Sequence, residues 1–332
     1  MERFVFWAAI TIAVIFGIGA MVGGSHFANG DGWGIHIDAD GGTDPVLETT
    51  AGNLAPQTLE GSELRLKHLA ALVTITPEDR QDYVVEITSP GGAPMPVVSS
   101  DDGRVTIDGR LRGRITRCTE DGGAELRGYG TLSQQNLPRI TIRAPRTLNI
   151  SRSGAGATQI GASEALDLDF SGCSEATIAD VAQALDVDFA GSGRVTAGAA
   201  RRLNADVAGS GRLQVGAVAE GAKVDVAGSG EVAIASVTGE FNSDGAGSGN
   251  VSVNGGAITD ASVDLAGSGD VTIAAPIQHL TVSIVGSGDV DVQGTVGEVD
   301  ADIAGSGGVR ARAVTGEIRK EIWGSGDVRV GE

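Results

Sequence analysis

Aromatic residues make up 4% of the 332 positions. A core without them cannot be a bulky globule packed around large rings, and small side chains in thin, regular layers suit this composition better. Cysteines number two, Cys118 and Cys173. That is too few for a disulfide scaffold, and their separation matches no zinc spacing. In an oxidising compartment the pair has one bridge open to it; otherwise the two are isolated thiols. Basic residues are outnumbered, 24 against 43 acidic, for a formal net charge of -19. This excludes the basic face that nucleic acid or an anionic membrane surface requires, so no nucleic-acid partner is expected. The four histidines, His26, His36, His68 and His279, are dispersed with no ligand-spaced partner. No long stretch carries helical periodicity.

The one long apolar run is residues 4–22, which contain no charge and come directly after Arg3. Nineteen residues just suffice to cross a bilayer, and the preceding basic residue favours translocation of the downstream chain. Residues 1–24 are therefore expected to be a signal peptide or a transmembrane anchor. Residues 4–22 contact the membrane if the segment is retained. The rest is expected to be exported: anchored in the inner membrane with a periplasmic domain, or periplasmic or at the cell surface. Residues 25–54 are rich in Gly and Asp and are expected to form a flexible tether.

What the sequence has in abundance is glycine, 52 residues, and it is periodic. Gly-Ser-Gly begins at 191, 209, 228, 247, 267, 286, 305 and 324, in steps of 18 to 20. Two degenerate copies precede these, around Ser171-Gly172-Cys173 and Ser153-Gly154-Ala155. Counting back from the first Gly, positions two, four and six before are mostly apolar, as in Phe189, Val187 and Leu185. So are positions four and six after, as in Val195 and Ala197. Alternation with period two means strand with one buried face, and glycine permits the sharp turn between two strands. A 19-residue unit cannot bury its apolar face alone; stacked copies can, each strand pairing with its equivalent one repeat along. The expected fold is all-β, a right-handed parallel β-helix of about ten 19-residue rungs over residues 148–332. Residues 55–147 lack the motif but alternate like strands, for example Tyr83–Thr88 and Ile140–Arg143. They are expected to form an irregular β-rich section or cap.

The Ala-Gly-Ser-Gly-Asp-Val unit at 266–271 and the lead-in Leu137–Pro145 resemble the head GIN domain of auto-transporter adhesins. The resemblance spans residues 55–332. It implies a surface β-helix with an adhesive role toward a protein, a glycan or another surface, and it carries over no catalytic residues.

Three before the first Gly stands a run of acids: Asp169, Asp188, Asp206, Asp225, Asp244, Asp264, Asp302 and Glu321. Stacked rungs turn this run into an acidic ladder on the outer face. Like charges at strand spacing repel, and oxygen ligands suit calcium. The ladder is thus the candidate metal site; the alternative is a solvated stripe that keeps the rod soluble. Eight Gly-Ser-Gly copies between strands are turns, not the single phosphate loop of a nucleotide site. With no catalytic constellation in view, the expected function is non-catalytic. Two further readings are a self-assembling rod joined through its C-terminal rung, where Trp323 replaces a small residue, and a glycan-acting β-helix enzyme.

Overall fold

A computed structural model describes residues 47–49, 51–119 and 122–331. The expected leader and most of the expected tether lie outside the described residues. Among the described residues no helix is long and apolar enough to cross a membrane. They form a parallel β-solenoid of about ten turns.

The strands, in chain order, begin with β1 (Gly52–Glu60), β2 (Glu63–Glu78), β3 (Asp82–Ser89), β4 (Val97–Asp101) and β5 (Arg104–Asp108). Three short strands come next, β6 (Ile115–Cys118), β7 (Ala124–Leu126) and β8 (Gly130–Leu132). Then come β9 (Arg139–Pro145), β10 (Thr147–Ile160), β11 (Ala165–Gly172) and β12 (Glu175–Ile178). Beyond β12 the same two-strand unit recurs to Val330.

Every apolar column legible in the repeat is a column of backbone partners. Leu166 pairs with Leu185, Leu185 with Leu203, and the line runs through Ala222, Phe241, Ala261, Leu280 and Val299 to Ile318. Equivalent residues therefore stand one strand spacing apart, about 4.8 Å. The interior is one continuous aliphatic core. Its volume is balanced within rungs: where Phe241 enters the core, the next two inward positions shrink to Ser243 and Gly245.

In the Gly-Ser-Gly turns, from Gly191 onward, glycine is required twice, for different reasons. The first, such as Gly267 (φ +137), sits in a backbone region closed to most L-residues, and a Cβ there would overlap the carbonyl oxygen of Gly247 one rung away. The third, such as Gly269, has an ordinary φ, but its Cβ would strike the Gly249 carbonyl oxygen. The pairing also settles the register of the degenerate copies. Gly154-Ala155-Gly156 and Gly172-Cys173-Ser174 stand where later rungs have Gly-Ser-Gly.

The solenoid extends one rung further toward the N-terminus than the repeat. Strand β2 pairs in parallel with β10 along its length, so Leu69-Ala70-Ala71 takes the place of the turn motif. Lys67 and His68 together oppose Ser153, a bulge that puts His68 at φ +49. On its other side β2 pairs with β5 and β9. Antiparallel strands then close that end: β3 on β9, β1 on β3 and β4 on β5. The expected β-rich section is thus rung plus cap. Its first strand starts at Gly52, inside the stretch expected to be tether, because Gly52–Leu54 continue the pairing with Ile87–Ser89.

Candidate functional site

The acidic run forms a column in register: Asp169, Asp188, Asp206, Asp225, Asp244 and Asp264 are successive partners, with Ser283, Asp302 and Glu321 after them. It lies on the outer face, as the parity requires, but it is less solvated than an outer face implies. Asp225 is 7% exposed. Neighbouring rungs flank each carboxylate at strand spacing, and Lys223 folds along the sheet to place its Nζ 2.6 Å from Asp225 Oδ2. The other oxygen, Oδ1, is buried with no donor but the neighbouring carboxyl groups. Burial, then hydrogen bonding to and repulsion from Asp225, pushes Asp206 up to about 7. Asp244 is pushed up to about 7 by burial and by its bond to Asp225, reinforced by the charge of Asp264. Burial lowers the Lys223 ammonium, but the Asp225 bond and the charges of Asp225, Asp206 and Asp244 carry it above the ordinary value.

This geometry is a line, one carboxylate per rung, that shares protons and one ammonium. Among the described residues no three His, Cys, Asp or Glu side chains form a group able to hold a metal ion. The ladder expected as a calcium candidate therefore lacks the converging oxygens such a site needs. The described histidines each meet one carboxylate: His68 Nδ1 lies 3.4 Å from Asp108 Oδ1, and His279 Nδ1 3.2 Å from Asp260 Oδ1.

A second constellation was not anticipated from the sequence. Between β5 and β9 the chain leaves the solenoid and folds β6, β7 and β8 into a small antiparallel sheet. That sheet lies over the outside of the first turns, with Leu111, Leu126, Leu132 and Leu137 packing on Ala70 and Ala155. Those two alanines occupy the middle position of the turn motif, which holds exposed serine from Ser192 onward. Cys173 occupies the same position on the rung between, and the structure joins it to Cys118 of β6 in a disulfide, Cα to Cα 5.7 Å. Along this column the residues thus change from alanine under the sheet to the cysteine that staples it, then to serine in the open.

A groove of about 290 Å³ begins at that staple. Its floor is the bare backbone of Gly193 and Gly211, and one side carries the hydroxyls of Ser192, Ser210 and Ser229. The other side is a column of four charged partners: Glu175, Arg194, Arg212 and Glu231. Arg194 Nη1 donates to Glu175 Oε1 at 3.1 Å, and Arg212 donates to Glu231 Oε2 through Nε at 2.8 Å and Nη2 at 2.5 Å. The two like charges at the centre of the column are thus each neutralised outward.

Beneath the staple, Arg152 is wholly buried, with no carboxylate beside it among the described residues. Its guanidinium donates to Ser174 Oγ at 2.6 Å and to the Ala155 carbonyl at 2.9 Å, and it stacks near the Phe170 ring. Burial lowers its pKa to about 10. The signal was present in the sequence: Arg152 stands two residues before Gly154, the inward position held by Phe170 and Phe189 on later rungs. Ser174 answers it, a serine where later rungs have glycine, with its Oγ also donating to the Gly154 carbonyl at 2.9 Å.

On the last described rung, Ile318, Trp323 and Val330 are exposed at 39%, 66% and 47%.

The family described as "Putative auto-transporter adhesin, head GIN domain" matches residues 85–257 and 244–332. Similar solved structures include a "putative lipid binding protein" of Parabacteroides distasonis ATCC 8503, at 18% identity over 83% of this chain and 97% of that one, TM-score 0.45. A "putative adhesin" of the same organism is 13% identical over 86% and 100% of the two chains, TM-score 0.40. A third, a "putative adhesin" of Parabacteroides merdae ATCC 43184, is 13% identical over 85% and 96%, TM-score 0.36. Comparison with curated proteins gives no match. With the family match covering most of the solenoid and its cap, the chain belongs to the head GIN domain family of auto-transporter adhesins.

Proposed function

We propose that this chain is an exported, non-catalytic cell-envelope protein that displays its solenoid as an adhesive surface toward a protein or glycan partner. The observation that carries the reading is the uniformity of the rungs. From Gly172 onward the turn spacing stays between 18 and 20 residues, so over those rungs each face is an unbroken stripe without the inserted loops from which solenoid enzymes build a cleft, and the β6–β8 insertion lies before them. The family supports the same reading and an exported location. Residues 4–22 are the segment that would hold the protein at the membrane, with the solenoid on the far side. The test is adhesion. Beads coated with the full chain should be retained on immobilised cells and on extracted cell-surface polysaccharide above beads carrying an unrelated protein of similar charge. Equal retention of the two overturns the reading. Release of new reducing ends from that polysaccharide overturns its non-catalytic part.

A second reading, self-assembly, is favoured by Trp323, exposed at 66% where other rungs carry Ala, Ser or Val, since a large exposed apolar side chain marks a contact surface. It requires the molar mass by light scattering to rise with concentration, and Trp323→Ser to abolish that rise.

A further inference from the structure

We propose that the groove beside the Cys118–Cys173 staple is a binding site for a neutral, hydroxyl-rich oligosaccharide. The inference rests on the adhesive reading and names the site and ligand class for it.

Three observations converge. The first is placement. Binding clefts on solenoids arise where an insertion breaks the regular surface. Among the described residues β6, β7 and β8 form such an insertion, and the groove starts where it stops, at Cys173, which is bonded to Cys118 of the insertion and lines the groove. The second is the chemistry of the lining. Ser192, Ser210 and Ser229 succeed one another at rung spacing and are exposed. Their backbone N–H groups are spent on the Gly172, Gly191 and Gly209 carbonyls, which leaves the hydroxyls outward, each able to donate and accept. Facing them, Arg194 and Arg212 offer fixed N–H donors and Glu175 and Glu231 offer acceptors. A ligand that both donates and accepts at many closely spaced points matches this array, and a run of sugar hydroxyls does so.

The third observation is charge, which selects against an acidic glycan. The four charged residues sum to zero, and the groove sits on a chain of net charge -19. A polyanion gains no net attraction in the groove and is repelled by the protein as a whole. A neutral chain meets no such penalty. The lining contains no aromatic ring for a sugar to stack on, so single-site affinity should be weak, with a Kd on the order of 1 mM, and useful adhesion would come from many copies.

The test uses the full chain with cellopentaose, maltopentaose and laminaripentaose as neutral probes and tetragalacturonate as the acidic one, by saturation-transfer NMR and titration calorimetry. At least one neutral probe should bind, and tetragalacturonate should not. Ser210→Trp fills the groove from an exposed position and should weaken binding roughly tenfold or more. The charge-conserving pair Arg212→Ala/Glu231→Ala should do the same should the tryptophan disturb folding. Binding of tetragalacturonate alone overturns the ligand class. Wild-type affinity in both variants, or no neutral binding at all, overturns the site. In either of those cases coated beads that still adhere leave the adhesive reading standing, whereas beads that do not adhere remove that reading on separate grounds.

Discussion

The raised carboxyls of the acidic ladder make stability depend on pH in the direction opposite to that of a salt-bridged aspartate. Asp206 and Asp244 titrate near 7 in the folded chain, against 3.8 for the ordinary group. Between those values the folded state holds protons that the unfolded state has released, so stability falls as pH rises through the window. Their favourable contribution is complete below about pH 4 and lost once the pH passes 7. One unit corresponds to about 1.4 kcal/mol, so each shift taken at face value amounts to roughly 4 kcal/mol. Both groups are partly exposed, and solvent and salt reduce such interactions several-fold, leaving about 1 kcal/mol each and about 2 for the pair. In a chain of this size that is roughly 4 °C in melting temperature.

The assay is thermal unfolding at pH 8 and pH 5.5, in low and moderate salt, for the native chain and for Asp206→Asn/Asp244→Asn. The native chain should melt about 2 °C higher at pH 5.5, because about half of the 3.8-to-7 window lies above that pH. The double variant should lose most of that difference by gaining stability at pH 8, because it carries the neutral form permanently. Glu240→Gln, an exposed residue away from the ladder, controls for the loss of net negative charge. A double variant with the native pH slope, or a control that removes the slope equally well, would refute the assignment to the ladder and leave general charge repulsion as the cause.

Other consequences are more local. Gly267→Ala should cost about 2–4 kcal/mol, since it meets both a left-handed φ and the Gly247 carbonyl, whereas Gly52→Ala, with open space at the Cβ, should stay within about 0.5 kcal/mol; denaturant midpoints compare them. Cys118→Ser/Cys173→Ser opens a crosslink spanning 55 residues and should cost about 2–4 kcal/mol, with limited proteolysis showing new cleavage between residues 109 and 138 before the solenoid is touched. Arg152→Ala should cost about 3–5 kcal/mol, while Arg152→Met should stay within about 1 kcal/mol, because it fills the same space and the relief of a buried, unpaired cation offsets the lost hydrogen bonds.

The repeat was legible because its physics is one-dimensional. A Gly that must adopt positive φ recurs at a fixed interval, and the apolar positions around it alternate, so aligning the copies also pairs the strands. The column from Leu166 to Ile318 could be written from sequence and is found as backbone pairs. The same method stopped at β2, where Leu69-Ala70-Ala71 turns without glycine and a His68 bulge supplies the unusual backbone angle. It named the Cys118–Cys173 bridge but left it open, because that bond depends on where β6 folds back, and strands of three or four residues leave little periodicity to read. The acidic ladder was visible as a column, but its partial burial was not. At Asp225 that burial is accompanied by Lys223 lying along the sheet, a side-chain choice with no trace in the spacing.

The groove was missed for a related reason. Its lining comes from positions that look like bare repetition: serine at the middle of a turn and a variable residue at the head of the next strand. Repetition by itself gives a uniform surface, and a uniform surface cannot distinguish one register of a partner from the next. Distinction enters where the columns change character, and in this chain two of them change together. The turn column passes from Ala155 to Cys173 to Ser192, and the neighbouring strand column passes from Ala157 to Glu175, followed by Arg194, Arg212 and Glu231. Both changes fall at the edge of the small sheet, so one end of the rod has a wall, a donor–acceptor pattern and a defined starting point. An adhesive rod built from equal rungs needs such a point to hold a chain-like partner in one register, and the disulfide fixes that wall to the first rung of the groove.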